Sequence, residues 1–235
     1  MKIRCVWEHN GDDSLLYAAN FIGAFTRGPS LDTAIHKMPC EIQSYLKWKG
    51  ESAPGVFEVE IVQQSSSGLS ISDADSDVLF EDERMALHLP EYLELKSLAL
   101  KSAQDFLTLY RSIPDKDRSC LPARSTFYGQ IPRTALEMYE HTKNVNNYYF
   151  GEIGVPADNK GTILECREHG FALLEDQPHF LDNHTYSGSY GEEWSLKKVL
   201  RRFIWHDRIH AKAMYRMAMK TFGRDSIPNV FFFDV

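Results

Sequence analysis

The sequence has no long hydrophobic run and few cysteines. No stretch approaches the roughly 18 consecutive apolar residues of a membrane-spanning helix, and the polar N-terminal segment lacks the apolar core of a signal peptide. The 4 cysteines are scattered and form no Cys-x-x-Cys pair, which excludes a disulfide framework and a cysteine-ligated zinc site. These absences predict a protein that makes no membrane contact and works in the reducing cytoplasm.

Positive charge is also scarce. The chain has 26 Lys and Arg against 33 Asp and Glu, a net charge of −7, which disfavours nucleic acid as a partner. The nearest approach to a basic cluster is Lys197 and Lys198 followed by Arg201 and Arg202. We interpret this run as the solvated face of a helix. Since 43% of the 235 residues are hydrophobic, the chain has enough apolar material for two domains.

The N-terminal residues predict a small α+β unit. Three segments have strand character: 2–8, 14–20 and 56–64. An Asn-Gly pair between the first two segments is a strong hairpin signal. Ser30 is placed to cap a helix over 31–48, which Pro39 must kink or interrupt. The predicted order is therefore β-β-α-β.

A change of composition indicates a domain boundary. Residues 67–88 are rich in serine and aspartate and predict a solvated linker, in which the apolar residues 78–80 have room to form a short strand. An EF-hand calcium loop is excluded there, because Val78 stands where such a loop needs glycine and Arg84 where it needs glutamate. The predicted domains are therefore 1–66 and 89–235.

The second domain has helical spacing of its apolar residues. Four helices are predicted, over 90–112, 132–152, 160–176 and 193–222. Four helices joined by loops of varied length are typical of an all-α four-helix bundle. The predicted fold class is therefore an α+β unit followed by a four-helix bundle.

Three histidines occupy helical positions where apolar residues are expected. His206 and His210 lie on a seam of the last helix that is otherwise apolar, and His141 lies on a similar seam of the second predicted helix. Burying neutral imidazoles without partners costs a few kcal/mol each, and a metal ion removes this cost by accepting a lone pair from each ring. Three histidines with an open fourth position predict a catalytic metal site. The ligands suit zinc, nickel, cobalt, iron or manganese.

A purely structural role for these histidines is the alternative to this prediction. A histidine on an apolar face is more often a hydrogen-bonded core residue than a ligand, and a pair spaced by four residues leaves both interpretations open. Glu137, Glu140 and Asp207 are predicted to orient the imidazoles, although solvated helix residues are more common. Tyr190 belongs to a loop, 186–191, that is predicted beside the cavity.

Two segments resemble helices of a known family. Residues 132–150 resemble the second helix of DinB-like proteins, in which a histidine binds a metal, and His141 occupies that place. Residues 193–217 resemble their last helix, whose His-x-x-x-His pair corresponds to His206 and His210. Many members carry a Trp-Ser pair ahead of the second helix. This chain has Gly-Gln-Ile-Pro there and a Trp-Ser pair at Trp194-Ser195 instead, which leaves the metal ligands intact but weakens any transfer of the family's substrate contacts.

The resemblance spans roughly residues 90–222 and implies a function. DinB-like proteins include metal-dependent transferases that use a low-molecular-weight thiol, such as bacillithiol or mycothiol. The resemblance implies such a thiol S-transferase with zinc or nickel, a thiol and an electrophile as its small-molecule partners, and a homodimer. A bound metal would lower the pKa of the thiol. A metal-dependent hydrolase is the alternative, disfavoured because the seam offers no clear acidic base.

A weaker resemblance concerns the N-terminal unit. Residues 15–42 resemble the HicB-like antitoxin fold, whose members bind a small ribonuclease toxin. A separate module usually binds DNA in those proteins, and the sequence contains no such module. The resemblance implies a third possibility, a non-enzymatic regulatory protein in which this unit binds a partner.

Overall fold

A computed structural model describes residues 1–53, 55–73, 75–126 and 129–235. The strands in these ranges are β1 (Lys2–Asn10), β2 (Asp13–Ala18), β3 (Phe25–Gly28), β4 (Glu58–Ser66), β5 (Ser125–Thr126), β6 (Gly129–Gln130), β7 (Tyr186–Ser187) and β8 (Glu193–Trp194). The α-helices are α1 (Leu31–Lys49), α2 (Leu89–Ser112), α3 (Ala135–Gly151), α4 (Ile163–Glu175) and α5 (Leu196–Phe222). None of these helices is long and apolar enough to cross a membrane.

The N-terminal part is a four-stranded sheet in the order β3-β2-β1-β4. β1 and β2 form an antiparallel hairpin whose turn contains Gly11 at φ 57°, a conformation that glycine adopts without steric cost. β4 runs parallel to β1, so the chain needs a crossover connection between them, and α1 provides it. The sheet therefore combines a three-stranded antiparallel unit with one parallel edge strand.

α1 begins and ends at clear signals. The hydroxyl of Ser30 accepts a hydrogen bond from the backbone N–H of Thr33 at 3.2 Å, which caps the first turn. Gly50 ends the helix in the left-handed conformation, with φ 79°. The helix continues through Pro39, so the expected interruption does not occur. The C-terminal tail packs on α1, where the ring of Phe231 stacks on Trp48.

Apolar side chains cover both faces of the sheet. Leu16 and Ala18 point to one face and join the core that contains the buried side of α1. Leu15, Tyr17 and Phe25 point to the other face, because successive strand residues alternate. This second face packs against Ile71, Val78 and Phe80, and against Trp205 of α5. α5 therefore belongs to the packing of the sheet as well as to that of the helices.

The fold class predicted from the sequence is wrong in two respects. The sheet contains an additional strand, β3, so the order is β-β-β-α-β. The C-terminal part is not a clear four-helix bundle, because α5 packs on the sheet as well as on α2 and α3, and short hairpins separate the helices. One continuous apolar core contains residues of both parts.

The predicted linker is not solvated throughout. It contains two 3₁₀ turns, Ile71–Asp73 and Glu81–Arg84. Between them, Val78, Leu79 and Phe80 are buried, and Phe80 contacts the ring of Tyr17. These three residues are not in a strand. The segment is therefore part of the packed structure, and the domain boundary placed there stays a prediction.

α5 is buried around most of its circumference in its first half. Lys198 and Arg201 are at most 1% exposed and Arg202 is 9% exposed, so the predicted solvated face is wrong for these three residues. Their charges meet carboxylates of other segments: Glu192 for Lys198 and Arg202, and Glu83 for Arg201. The sequence pattern of α5 alone does not contain this information, since Glu83 comes from a distant segment and Glu192 from the loop just before β8.

Candidate metal centre

Two helices bring three histidines together. His206 and His210 lie one turn apart on α5, and His141 lies in the first half of α3. The distances between ring centroids are 4.4 Å for His206 and His210, 4.6 Å for His141 and His210, and 5.2 Å for His141 and His206. One ligand nitrogen from each ring lies within 4.8 Å of the other two. The rings therefore face a common point between α3 and α5.

The two histidines of α5 have the separation of a chelating pair. Their Nε2 atoms are 3.2 Å apart. A tetrahedral zinc ion with Zn–N bonds of about 2.0–2.1 Å places two nitrogen ligands about 3.3 Å apart. A hydrogen bond between the two rings fits the same distance, and with either arrangement the buried Nδ1 of His206 has no partner among the described residues. His206 is therefore not a fully hydrogen-bonded core histidine.

Exposure increases across the group. His206 is 7% exposed, His210 is half-buried and His141 is exposed. The buried stripe of α3 runs through Met138, Thr142 and other residues, and His141 lies at its edge rather than on it. The expectation that His141 lies on an inward seam is therefore wrong in detail, although its ring meets the other two. The group is closed on the His206 side and open to solvent on the His141 side.

Burial keeps the imidazoles neutral. The surrounding protein partly desolvates His141 and lowers its pKa, although its side chain still has exposed surface, and burial lowers the pKa of His206 well below the ordinary value, with further lowering by the other two histidines. Burial also lowers the pKa of His210 to about 3, and the charges of His141 and Arg27 act in the same direction. Neutral imidazole is the form that donates a lone pair to a metal ion. The three rings are therefore in the ligating form at neutral pH.

Two glutamates predicted to orient the imidazoles make other contacts. Glu137 accepts hydrogen bonds from the backbone N–H groups of Arg133 and Thr134, at 2.8 and 3.2 Å, and so caps the start of α3. Glu140 forms an ion pair with Lys143 at 2.9 Å. The structure therefore gives these carboxylates capping and pairing contacts on α3.

Asp207, like the two glutamates, binds other groups, and the side chain of Tyr190 lies in solvent. Asp207 is fully buried and accepts hydrogen bonds from Arg167 and from the hydroxyl of Ser102. Tyr190 is 95% exposed, and its backbone has φ 60°. Among the contacts that the structure describes for these two residues, none is with an imidazole. Asp207 instead fixes the position of α5 against α2 and α4.

Arginines border the histidines, and the sequence interpretation missed them. Arg202 lies one turn before His206 on α5, and its guanidinium lies 5.6 Å from the ring centroid of Tyr149. That ring is 6.0 Å from the ring of His206. The spacing of four residues between Arg202 and His206 was the available signal, because it places both side chains on one helical face. The charge of Arg27 of β3 also lowers the pKa of His210.

A surface cleft lies farther along α3. Residues at the C-terminal end of α3, of β7 and of the loop after β7 line it: Asn147, Tyr148, Gly151, Glu152, Ser187, Gly188 and Ser189. Tyr148 follows His141 by two helical turns, roughly 10 Å along the axis. The cleft is therefore a neighbour of the histidine group and not part of it.

Comparison with known proteins adds no relative. No protein-family model, no curated protein and no solved structure matches the chain. The resemblances to DinB-like and HicB-like proteins therefore stay predictions, and the function is argued from the geometry of the site.

Proposed function

We propose that the chain is a metal-dependent thiol S-transferase whose divalent metal is held by His141, His206 and His210. One observation carries the proposal: three neutral imidazoles from two helices face a common point, with ligand nitrogens within 4.8 Å of one another. Three histidines leave a coordination position for a substrate, as in catalytic rather than structural sites. This open coordination position would lie toward solvent, on the side of exposed His141.

The donor set suits a transition metal such as zinc or nickel. The spacing of the Nε2 atoms of His206 and His210 matches two ligands of one ion. The ligand nitrogens of all three rings lie within 4.8 Å of one another, so a bound ion would draw His141 closer to this pair. Imidazole nitrogen is a common ligand of zinc and nickel and a poor one for magnesium or calcium. A metal bound there would lower the pKa of an incoming thiol and so supply a thiolate at neutral pH.

The protein groups have simple roles in the proposed transfer. The imidazoles bind through nitrogen, and the packed side of the group, formed by His206 and Tyr149, excludes water. The thiol loses its proton to solvent through the open side. Its sulfur then attacks an electrophilic carbon, a carbon–sulfur bond forms, and the leaving group departs with the electrons of the bond that breaks.

A hydrolase is the less favoured alternative. Water activation in such an enzyme usually needs an acidic group beside the metal as a general base. Among the described residues, the group that faces the common point contains three histidines and no carboxylate. Glu140 and Asp207, which directly neighbour two of the histidines along the two helices, are held by other partners. Thiol chemistry needs no such base, because the metal itself acidifies the thiol.

Metal content tests the site directly. We expect the purified chain to bind close to one equivalent of zinc or nickel by elemental analysis after dialysis. His206→Ala should lose the metal, because the remaining pair spans two helices. His184→Ala is the matched control, since this histidine is exposed in a loop and pairs with Asp182 at 3.7 Å. Equal metal content in the two variants would exclude the proposed site.

Turnover tests the reaction. The metal-loaded chain is assayed with an activated aryl halide and a series of thiols, with halide release as the readout. We expect a rate that disappears on chelation and in His206→Ala and returns when metal is added back to the unmutated chain. Metal binding without thiol-dependent turnover would leave a metal site but contradict a transferase.

A further inference from the structure

The cleft at the end of α3 has two walls that are held together. Its volume is about 570 Å³, which is within the usual range of small-molecule sites. The backbone N–H of Ser189 donates a hydrogen bond of 2.7 Å to Oε2 of Glu152, and this bond ties the loop after β7 to the helix. Gly188 permits the close approach, because a Cβ atom at that position would overlap Glu152 and Trp194. The loop and the helix end therefore form one defined cleft.

The charge of the cleft is negative. Glu152 is the one charged side chain among the described lining residues. Only its Oε2 atom accepts a hydrogen bond from the described residues, and no described Lys, Arg or His forms an ion pair with this carboxylate. Glu152 also caps the C-terminal end of α3, where the helix dipole adds partial negative charge. The cleft therefore favours a cation over an anion.

Two tyrosines provide aromatic rings at the cleft. Tyr148 lines it, and the ring of Tyr148 packs edge-on against that of Trp194 with a centroid distance of 5.7 Å. Tyr190 directly follows the lining residue Ser189 and is 95% exposed. Its φ of 60° is a conformation that residues other than glycine rarely adopt. A carboxylate beside tyrosine rings is a combination that binds alkylammonium ions, through charge and through cation–π contacts.

We propose that this cleft binds a small organic cation of the alkylammonium class. The ammonium group lies between the carboxylate of Glu152 and the ring of Tyr148. The exposed ring of Tyr190 packs over the outer side of the bound cation and so gains a partner. This site is separate from the histidine group, and the proposal does not rest on the proposed metal or on the transferase reaction.

Choline and its uncharged isostere 3,3-dimethylbutan-1-ol are the probes. The two molecules have nearly the same shape and differ in charge, and titration calorimetry of the whole chain measures both affinities. We expect choline to bind roughly tenfold more tightly than the isostere, because the carboxylate and the cation–π contacts act on the charged molecule alone. Equal affinities would overturn the proposal. So would the absence of choline binding at a ligand concentration of about 10 mM.

Variants locate the bound cation. Glu152→Gln keeps an oxygen for the backbone N–H of Ser189 but removes the charge, and it should weaken choline binding roughly tenfold. Tyr148→Leu should also weaken binding, whereas Tyr148→Phe keeps the ring and should retain most of the affinity. Glu168→Gln is the matched control, because Glu168 is an exposed glutamate of α4 outside the cleft. Full affinity in folded Glu152→Gln would show that choline binds elsewhere.

The metal does not enter this test. His206→Ala and the chelated chain should bind choline with unchanged affinity. Loss of choline binding together with the metal would contradict a separate cation site. A chain that binds choline but no metal would overturn the proposed function and leave the cation site in place.

Discussion

The carboxylate of Asp207 accepts two hydrogen bonds from the guanidinium of Arg167, at 3.1 and 3.2 Å, inside the apolar core. The hydroxyl of Ser102 donates a third at 2.5 Å. Burial raises the pKa of Asp207, and the contacts with Arg167 and Ser102 oppose that rise. Helices α2, α4 and α5 therefore meet at one buried charge pair. Its carboxylate belongs to Asp207, the residue that follows the proposed ligand His206.

Replacing one member of this charge pair should lower the free energy of unfolding far more than replacing both. Asp207→Asn leaves the guanidinium of Arg167 buried without a counter-charge, and we expect it to lower the free energy of unfolding by about 3–5 kcal/mol. The double variant Arg167→Met with Asp207→Leu should lose less, because it leaves no buried charge. Urea denaturation of the three proteins measures both losses. Equal losses would show that the charges are not coupled.

Helices α3 and α4 approach closely at Gly170. A Cβ atom there would overlap the ring of Phe150, which is fully buried and has no room to move away. We expect Gly170→Ala to lower the free energy of unfolding by about 1–3 kcal/mol. Gly151→Ala is the control, because a Cβ atom at that position would meet no other atom within 4 Å and alanine favours a helix. Equal unfolding temperatures for the two variants would contradict the close packing at Gly170.

Glu8 should make the protein less stable as pH rises. Burial raises the pKa of Glu8 from its ordinary value of 4.5 to about 7, and its Oε1 accepts a hydrogen bond from the backbone N–H of Asp77. The folded chain therefore binds more protons than the unfolded chain between these two values. The free energy of unfolding falls as pH rises through this window, by at most about 3 kcal/mol in total, and the penalty is absent below pH 4.5.

Glu8→Gln removes that ionisation and should flatten the pH profile. We expect the variant to be more stable than the unmutated chain at pH 7.5 and to lose this advantage at pH 5, as measured by urea denaturation at both values. Glu60→Gln on exposed β4 is the control and should follow the unmutated chain. A parallel shift of both profiles would argue against a buried, protonated Glu8.

The helical part should not fold well by itself. Arg208 of α5 is fully buried and binds Glu41 of α1 at 2.6 Å, and Arg201 binds Glu83. A fragment of residues 89–235 leaves both guanidinium groups without these carboxylates and exposes Trp205. We expect the whole chain to unfold in one cooperative transition and the fragment to show none in a circular dichroism melt. An independent, sharp transition of the fragment would support two separate domains.

Helix positions were accessible from the sequence. The four helices predicted after residue 90 differ from the observed ones by at most three residues at either end, because their apolar spacing and capping residues are local signals. β3 was missed, since Phe25–Gly28 has four residues, includes Arg27 and ends in glycine. A strand this short is defined by its pairing with β2 rather than by its own pattern.

Burial of charge was not accessible in the same way. The sequence of α5 places Lys198, Arg201 and Arg202 where a solvated face is usual. Only the fold brings distant Glu83 to Arg201 and turns the preceding residue Glu192 back onto Lys198. The candidate site shows the same division. Periodicity places the histidines on helical faces, but it carries no information on whether α3 and α5 meet at matching depth. Arg27 lies on another element altogether.

Because α5 packs on both the sheet and the other helices, its late position in the chain has a consequence for biosynthesis. Glu41, Glu83 and Arg167 leave the ribosome well before the residues of α5 that neutralise them, namely Arg208, Arg201 and Asp207. Until then, each earlier segment lacks its counterion, and the sheet lacks the indole of Trp205. A nascent chain therefore cannot fold stably until α5 has been synthesised. Ribosome-stalled chains that stop short of α5 should remain sensitive to protease along their whole length.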